Sequence, residues 1–281
     1  MSIGVFGIVL LAALLHAGWN ALVKSGLDKT RSMAAVVIGQ GAFGGLILFF
    51  VPAPAAVSWP YLLIGVALHL GYQLFLIAAY KVGDLTQVYP IARGIAPVLV
   101  TGISVTVLGI SFDMPQLLAV GLIVCGIISL GLVRRTGGSR GGAGTLLALV
   151  TGCFIAAYSL NDGLGARLAG SPMGFYGWIA LLNAVAFVAL VPIWERAAFS
   201  ALPRSGMLIV VGGGASFAAY ALVIYAFTEA PIALVTALRE TSIIFALMIG
   251  VFKLKERLDL AKVLSTFLTL IGVALLRLSK G

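Results

Sequence analysis

The chain has 281 residues, of which 61% are hydrophobic and 10% are charged. Soluble domains carry about 25% charged residues, so this chain lacks the polar residues that would cover a soluble fold. Its formal net charge of +9 comes from basic residues grouped between apolar segments, a distribution that favours membrane topology and lipid-headgroup contact over nucleic-acid binding.

Apolar runs long enough to cross a bilayer recur along the whole sequence. A membrane-spanning α-helix needs about 20 predominantly apolar residues. We predict ten such segments, at approximately 3–23, 33–52, 59–80, 86–109, 115–133, 145–166, 173–194, 205–227, 232–252 and 259–277. The predicted fold class is therefore an all-α polytopic membrane protein with ten transmembrane helices.

The two halves of the chain resemble each other. Residues 80–96 align with residues 226–242 at a constant offset, which pairs Arg93 with Arg239. Each half contains five predicted segments, and an odd number inserts the second half upside down. Because inverted repeats around a midplane site are common in transporters, we predict two inverted five-helix repeats around a central cavity. The predicted units are the first repeat, a Gly- and Arg-rich linker and the second repeat, at residues 1–133, 134–144 and 145–281.

The basic residues of the short loops predict the orientation, because such loops tend to stay in the cytoplasm. One predicted side of the membrane collects most of them: Lys24, Lys29, Arg31, Lys81, Arg134, Arg135, Arg140, Arg196, Arg204, Lys253, Lys255, Arg257 and Lys262. The opposite side collects Arg167, Arg277 and Lys280. We therefore expect a multi-pass protein of the bacterial cytoplasmic (inner) membrane with both termini outside.

Arg93, Arg239 and Glu240 lie inside apolar segments, where a charge is costly without a partner, water or a ligand. A guanidinium offers an anion or carboxylate a planar fork of donors, so all three residues are candidates for substrate binding or gating. A structural ion pair with Glu240, or snorkelling of the arginines to the interface, is the alternative. Glu240 is also a candidate for proton coupling, with a permanently ionised counter-ion as the alternative.

Further polar and aromatic residues recur at helical spacing in the apolar segments. Such residues are expected to face the interior of the bundle rather than lipid. The candidates for a substrate-binding wall are His16, Trp19, Asn20, His69, Tyr72, Gln73, Tyr89, Tyr158, Asn161 and Tyr220. His16 and His69 are also candidates for proton coupling, since histidine titrates near neutral pH. Interhelical hydrogen bonding is the alternative role for the whole set.

The fourth segment contains Pro90, Gly94 and Pro97 around Arg93. Each proline removes a backbone donor and tends to kink a helix. Inside a membrane, irregular backbone is tolerated only where protein or a wet cavity satisfies it. We therefore predict a helix kink beside Arg93.

Neither a metal nor a cofactor is predicted. Cys125 and Cys153 stand alone in apolar segments without a metal-binding spacing. Free cysteine usually behaves as a small buried hydrophobe, so both are expected in the core.

Three stretches resemble the EamA-type branch of the drug/metabolite transporter superfamily. They are His-Ala-Gly-Trp-Asn-Ala-Leu-Val-Lys at 16–24, Tyr-Pro-Ile-Ala-Arg-Gly-Ile-Ala-Pro at 89–97, and Ala-Leu-Arg-Glu-Thr-Ser at 237–242 with Lys-Glu-Arg-Leu at 255–258. The resemblance covers the chain as two tandem units. It implies a ten-helix inverted-repeat fold whose helices one, three, four, six, eight and nine line one cavity. The implied activity is secondary transport of small metabolites, often export.

The leading functional hypothesis is a secondary active transporter, acting in export or import, for a small polar anionic or zwitterionic metabolite. It would work by alternating access, with proton coupling and facilitated diffusion both open. The alternative is a flippase for a lipid-linked or amphiphilic substrate. The expected partners are the small-molecule substrate, membrane lipid and protons if transport is coupled, with no nucleic acid and a monomeric or weakly dimeric chain.

Two other classes are disfavoured. Gly214-Ala215-Ser216-Phe217 resembles the serine motif of rhomboid proteases, but no histidine follows Ser216 in the sequence. A serine nucleophile needs a base within hydrogen-bonding reach, so an enzyme is not expected. A channel is disfavoured because the sequence shows neither a repeated ring of charges nor a carbonyl filter.

Overall fold

The computed structural model describes residues 1–25, 28–82, 85–132, 141–193, 195–200, 202–252 and 260–278. Within these ranges the regular structure is helical and no strand is assigned. The α-helices are α1 Ile3–Ser25, α2 Lys29–Ile47, α3 Trp59–Val82, α4 Leu85–Thr106, α5 Met114–Leu132, α6 Gly141–Leu168, α7 Pro172–Leu190, α8 Arg196–Ser200, α9 Gly213–Glu229, α10 Ile232–Arg239, α11 Ser242–Phe252 and α12 Leu260–Leu278. A π-helical turn, Leu208–Gly212, leads into α9.

Each of the ten predicted segments coincides with helix in the described part of the chain. The ninth segment is divided, because α10 ends at Arg239 and α11 begins at Ser242. The sixth begins earlier than predicted, with α6 starting at Gly141, and linker residues 134–140 lie outside the described ranges. The prediction of an all-α chain is therefore confirmed for the residues described.

Five helical stretches are long and apolar enough to cross a membrane: Ile3–Val23, Ala56–Ala79, Gly142–Leu168, Pro172–Ile193 and Leu208–Glu229. Three shorter apolar helices accompany them: Ile91–Thr106, Met114–Ser129 and Val263–Leu278. Large apolar side chains such as Leu146, Val185 and Phe267 are exposed on the outside of these helices. A surface of this kind suits lipid rather than water, and the chain is a multi-pass integral membrane protein.

Local sequence sets the helix starts where the chain turns. The Asp28 side chain caps α2 by accepting a hydrogen bond from the backbone N–H of Arg31. Ser171 caps α7 in the same way through Gly174, and Pro172 occupies the first turn, where no backbone donor is needed. Each cap thus satisfies one of the backbone N–H groups that the first turn of a helix leaves without an intrahelical partner.

Glycines let helices from the two halves approach closely. α5 packs on α12, and a Cβ atom at Gly126 would lie 2.4 Å from Thr269 Oγ1. A Cβ at Gly272 would in turn lie 2.8 Å from the carbonyl oxygen of Ala119. Small residues at such crossings are typical of membrane helix packing. The outer helices thereby form a close-packed frame around α10, whose residues are all buried.

The prediction for the two cysteines is wrong. Cys125 and Cys153 are exposed on the outside of the helical bundle rather than buried in its core. The physical reason is that the outer surface of a membrane protein is itself apolar, so a small hydrophobic side chain is equally stable there.

Candidate functional site

The interruption between α10 and α11 lies at the centre of the molecule. At this point the backbone N–H of Glu240 donates to Ala237 O at 3.2 Å and that of Thr241 donates to Leu238 O at 3.1 Å. These are three-residue bonds, tighter than the four-residue bonds of an α-helix, and such turns inside a helix often mark functional positions. The Thr241 hydroxyl also donates to Leu238 O, which satisfies a carbonyl beside the interruption.

Arg93, Arg239 and Glu240 meet at this interruption. Arg93 Nε lies 3.1 Å from Glu240 Oε2, and Arg93 Nη2 lies 3.5 Å from Ser242 Oγ. Arg239 Nε lies 3.6 Å from the other carboxylate oxygen, Oε1. All three charged side chains are almost completely buried. The ion-pair alternative raised from the sequence is therefore present geometrically, and it joins α4 to the α10–α11 interruption.

Arg239 faces aromatic rings on its other side. Its Cζ lies 6.0 Å from the ring centre of Tyr158 on α6 and 5.9 Å from that of Tyr220 on α9. Both distances are within the range of a cation–π contact. Among the described residues, Arg239 Nε and Nη2 have no hydrogen-bond acceptor. A buried guanidinium with unused donors thus lies between two rings and one carboxylate.

A second polar cluster adjoins the first and is centred on Asp162 of α6. Its Oδ2 lies 2.8 Å from His69 Nε2 and accepts a 2.8 Å hydrogen bond from the Tyr220 hydroxyl. Its Oδ1 accepts from Asn161 Nδ2 at 3.0 Å. The His69 ring stacks on Tyr158, with ring centres 4.3 Å apart. This cluster brings together His69, Tyr158, Asn161 and Tyr220, all of which the sequence marks as candidates.

Asp162 is not among the candidate site residues marked by the sequence. Arg167, later on the same helix, donates to the backbone carbonyls of Phe227 and Ala230, each at 2.8 Å. One feature of the sequence points to the correct position: Tyr158 and Asp162 are four residues apart and therefore share a helix face.

The remaining candidates lie around these clusters. Gln73 of α3 donates to Asn183 of α7 at 2.8 Å, and the Tyr72 ring meets Tyr158 edge-on. His16 meets the Trp19 ring edge-on, with ring centres 5.1 Å apart. Asn20 donates to the backbone carbonyl of His16 within α1, so its contact is local.

The interhelical hydrogen bonds of α2 and α7 were also missed. The Gln40 side chain of α2 donates to the Tyr176 hydroxyl, and Tyr176 meets Tyr220 edge-on at 5.1 Å. The signal in the sequence that could have found them is their polarity, since polar groups inside apolar segments usually bond across helices.

The helix is continuous through the region where a kink is predicted. α4 runs from Leu85 to Thr106 through Pro90, Gly94 and Pro97. The side chains of Tyr89 and Pro90 lie outside the described set. The interruption of helical bonding occurs in the second half instead, where Arg239-Glu240-Thr241-Ser242 contains neither proline nor glycine. The kink in α4 stays a prediction.

A groove of about 500 Å³ lies on the apolar exterior between α2 and α7. Its lining contains no charged side chain and little polar surface, with Gly41, Leu181 and Val188 as typical members. Since a polar solute needs donors and acceptors, this groove is not the candidate site. The two buried polar clusters are.

Comparisons with known proteins agree with this architecture. Residues 142–278 match the family model described as "EamA-like transporter family". A solved structure titled "Crystal structure of protein" aligns with a TM-score of 0.72 and 18% identity, covering 98% of this chain and 96% of that chain. At that identity the likeness shows the fold alone. No curated protein gives a match. The matched region spans the helices that carry Asp162, Arg239 and Glu240, so the second half of the chain is similar to the EamA-like transporter family, a family of membrane transporters.

Proposed function

We propose that the protein is a secondary transporter that moves a small anionic or zwitterionic metabolite by alternating access. The observation that carries this proposal is Arg239: it is buried, and two of its nitrogens have no hydrogen-bond acceptor among the described residues. Leaving buried hydrogen-bond donors without an acceptor costs free energy. A substrate carboxylate or comparable anion would satisfy them, because guanidinium and carboxylate match in bidentate geometry.

The local charge supports an anionic group on the substrate. Arg93 and Arg239 each contribute one positive charge, and Glu240 contributes one negative charge, which leaves one surplus positive charge at the interruption. Charges inside a membrane are costly and mark substrate pathways. Glu240 in turn would suit the amino group of a zwitterion, so both substrate classes fit the same arrangement.

The divided helix supports the same assignment. Secondary transporters commonly bind substrate where a helix is discontinuous, with the N-terminus of one half-helix directed at anionic groups. Here α11 begins at Ser242, beside both arginines. The partial positive charge of a helix N-terminus adds to that of the guanidinium groups.

The packing pattern supports an inverted repeat, an architecture that is common in alternating-access transporters. In that repeat, α1 corresponds to α6, α3 to α9, and α4 to α10 with α11. α1 packs on α9 as α6 packs on α3, and α6 packs on α4 as α1 packs on α11. Each of these helix contacts therefore has a counterpart when the two halves of the chain are exchanged. We propose that these two bundles rock around Glu240, in an inner membrane with both termini outside.

The test is a metabolite screen with purified protein in liposomes. Vesicles containing wild-type protein, Arg239→Gln or Glu229→Gln are exposed to a mixture of small metabolites, and their contents are identified by mass spectrometry. Glu229 is an exposed carboxylate at the end of α9 and provides the matched control. We expect an anionic or zwitterionic solute to accumulate with wild type and Glu229→Gln, and at least tenfold more slowly with Arg239→Gln. Equal accumulation with Arg239→Gln, or transport restricted to cations, would contradict the proposal.

A further inference from the structure

The His69–Asp162 pair is a buried ionisable site next to Arg239, with no ion pair of its own to a permanent cation among the described residues. Asp162 is fully buried, and His69 is 8% exposed. His69 Nε2 lies 2.8 Å from Asp162 Oδ2, and Tyr220 donates to the same oxygen. The net charge of such a pair changes by one unit when the histidine takes up a proton.

Four helices place ionisable groups around the pair. α3 supplies His69 itself, α6 supplies Asp162 and Tyr158, and α9 supplies Tyr220. α7 adds Tyr176, whose ring meets Tyr220 edge-on at 5.1 Å. Asn161 and its hydrogen bond to Asp162 Oδ1 complete the polar contacts of the carboxylate.

Arg239 of α10 is a buried permanent cation that faces the same two aromatic rings as the pair. Tyr158 stacks on His69 and also faces Arg239. Tyr220 bonds Asp162 and also faces Arg239. Asp162, His69 and Arg239 are all buried, and charges buried inside a protein are screened weakly. Arg93 and Glu240 lie one contact further away, at the helix interruption.

We infer that His69 and Asp162 together form a proton-binding site whose charge sets the anion affinity of Arg239. With neutral His69 and ionised Asp162, the pair carries −1 and cancels the surplus +1 of the Arg93–Glu240–Arg239 cluster. One proton from solvent, taken up at His69 Nδ1 while Nε2 continues to donate to Asp162, changes the pair to zero. No covalent bond other than that N–H forms or breaks. The centre then carries +1 and is ready for one anion.

The consequence is that the proton and the anion favour each other's binding. Coupling between two sites is reciprocal by thermodynamic necessity, so an anion at Arg239 strengthens proton binding at His69 by the same factor. This second step rests on the proposed function, because it requires Arg239 to bind the substrate. The proton site itself does not, and it can be tested without any substrate.

The chain offers a direct test because it contains two histidines, His16 and His69. Protein labelled with ¹⁵N-histidine is reconstituted in liposomes, and its ring nitrogens are followed by solid-state NMR between about pH 5 and 9. His16→Gln assigns the two sets of signals. We expect the His69 signals to change from neutral imidazole to imidazolium, and this change to move to lower pH in Asp162→Asn, which removes the attracting carboxylate.

Coupling to the arginine is tested in the same experiment. Arg239→Gln removes a nearby positive charge, so the His69 transition should move to higher pH, whereas Arg239→Lys keeps the charge and should remain near wild type. Tyr220→Phe removes a hydrogen bond that the Asp162 carboxylate accepts, and it should also move the His69 transition to higher pH. It serves as a second probe if Asp162→Asn does not fold, which the His16 signals and thermal unfolding would reveal.

Three outcomes overturn the inference. A His69 ring that stays in one protonation state throughout, or a transition unmoved by both Asp162→Asn and Tyr220→Phe, excludes the pair as a proton site. Identical transitions in Arg239→Gln and Arg239→Lys exclude the coupling. A metabolite screen without Arg239-dependent transport overturns the proposed function instead and leaves the NMR titration standing, so the two failures are separable.

Discussion

Arg93 and Arg239 occupy equivalent places in the two halves of the sequence, yet their surroundings differ. Arg93 lies on an uninterrupted helix and is held by Glu240 at 3.1 Å and Ser242 at 3.5 Å. Arg239 ends a helix, lies 3.6 Å from the same carboxylate, and has two nitrogens without an acceptor among the described residues. We propose from this comparison that Arg93 mainly fixes the structure, while Arg239 is available to a ligand.

This difference has a physical cause. A single carboxylate cannot neutralise two guanidinium groups, so the better-placed arginine takes most of its interaction. The other must then be stabilised by rings, by the neighbouring Asp162 or by a ligand. Equivalent positions in a repeat therefore need not share a role when only one half carries the counter-charge.

The most damaging change should be Glu240→Gln, because it removes the carboxylate on which both arginines depend. Breaking a buried pair by removing one partner costs about 3–5 kcal/mol. We expect a large fall in the thermal unfolding temperature of the purified protein, measured in detergent. The exposed Glu229→Gln is the control and should unfold like wild type. A Glu240→Gln protein as stable as wild type would show that neither arginine is held by this carboxylate.

Substitutions of the two arginines should affect protein stability and transport differently. Arg93→Gln removes a charged contact to Glu240, which is worth about 1.5–3 kcal/mol, so its unfolding temperature should fall. Arg239→Gln removes the longer of the two contacts to Glu240 and should lower that temperature less. It should still reduce transport about tenfold or more, equal to about 1.4 kcal/mol of lost binding free energy. Equal effects of the two substitutions on unfolding temperature and on transport would show that Arg93 and Arg239 do not have different roles.

A substitution at Gly152 of α6 tests whether the position of α4 controls the contact between Arg93 and Glu240. A Cβ atom there would lie 1.9 Å from Ile95 Cγ2 and 2.7 Å from the carbonyl oxygen of Ala92, so Gly152→Ala must displace α4. Overpacking of this kind costs about 1–3 kcal/mol.

The displacement should weaken the Arg93–Glu240 contact, and Gly152→Ala combined with Arg93→Gln should therefore lose less stability than the sum of the two. Gly142→Ala on the same helix has no atom within 4 Å of its added Cβ and is the control. Fully additive losses would show that Gly152 acts independently of Arg93.

The smallest effect should come from the ring that faces Arg239. Tyr158→Leu removes a cation–π contact worth about 0.5–2 kcal/mol and should weaken substrate affinity in the transport assay by a corresponding factor. Tyr158→Phe keeps the ring face and should transport nearly as well as wild type. A Phe variant as impaired as the Leu variant would assign the effect to the hydroxyl group instead.

Much of the fold could be predicted because a bilayer imposes a simple rule on the sequence. Every segment that crosses it must be apolar for about 20 residues, and the ten predicted segments all coincide with described helices. The position of the helix interruption could not be predicted in the same way. Pro90 and Pro97 are strong local indicators, yet α4 keeps a continuous assignment, whereas the turn at Glu240 contains neither proline nor glycine.

The candidate site was predicted in part. The spacing of polar residues in apolar helices predicted that His69, Tyr158, Asn161 and Tyr220 face the interior, and the structure places all four around Asp162. The spacing missed Asp162, the residue to which His69, Asn161 and Tyr220 bond. A contact between α3, α6 and α9 depends on how three helices pack, and no spacing within one helix contains that information.

The sequence by itself therefore determined the membrane environment, the helical segments and the presence of three costly charges, because each follows from the free energy of transferring side chains into lipid. Only the tertiary structure decided which charges meet. It directed Arg93 and Arg239 to one carboxylate and placed the His69–Asp162 pair behind two tyrosine rings. The reason is that pairing depends on distances of a few ångströms between different helices, which packing alone sets.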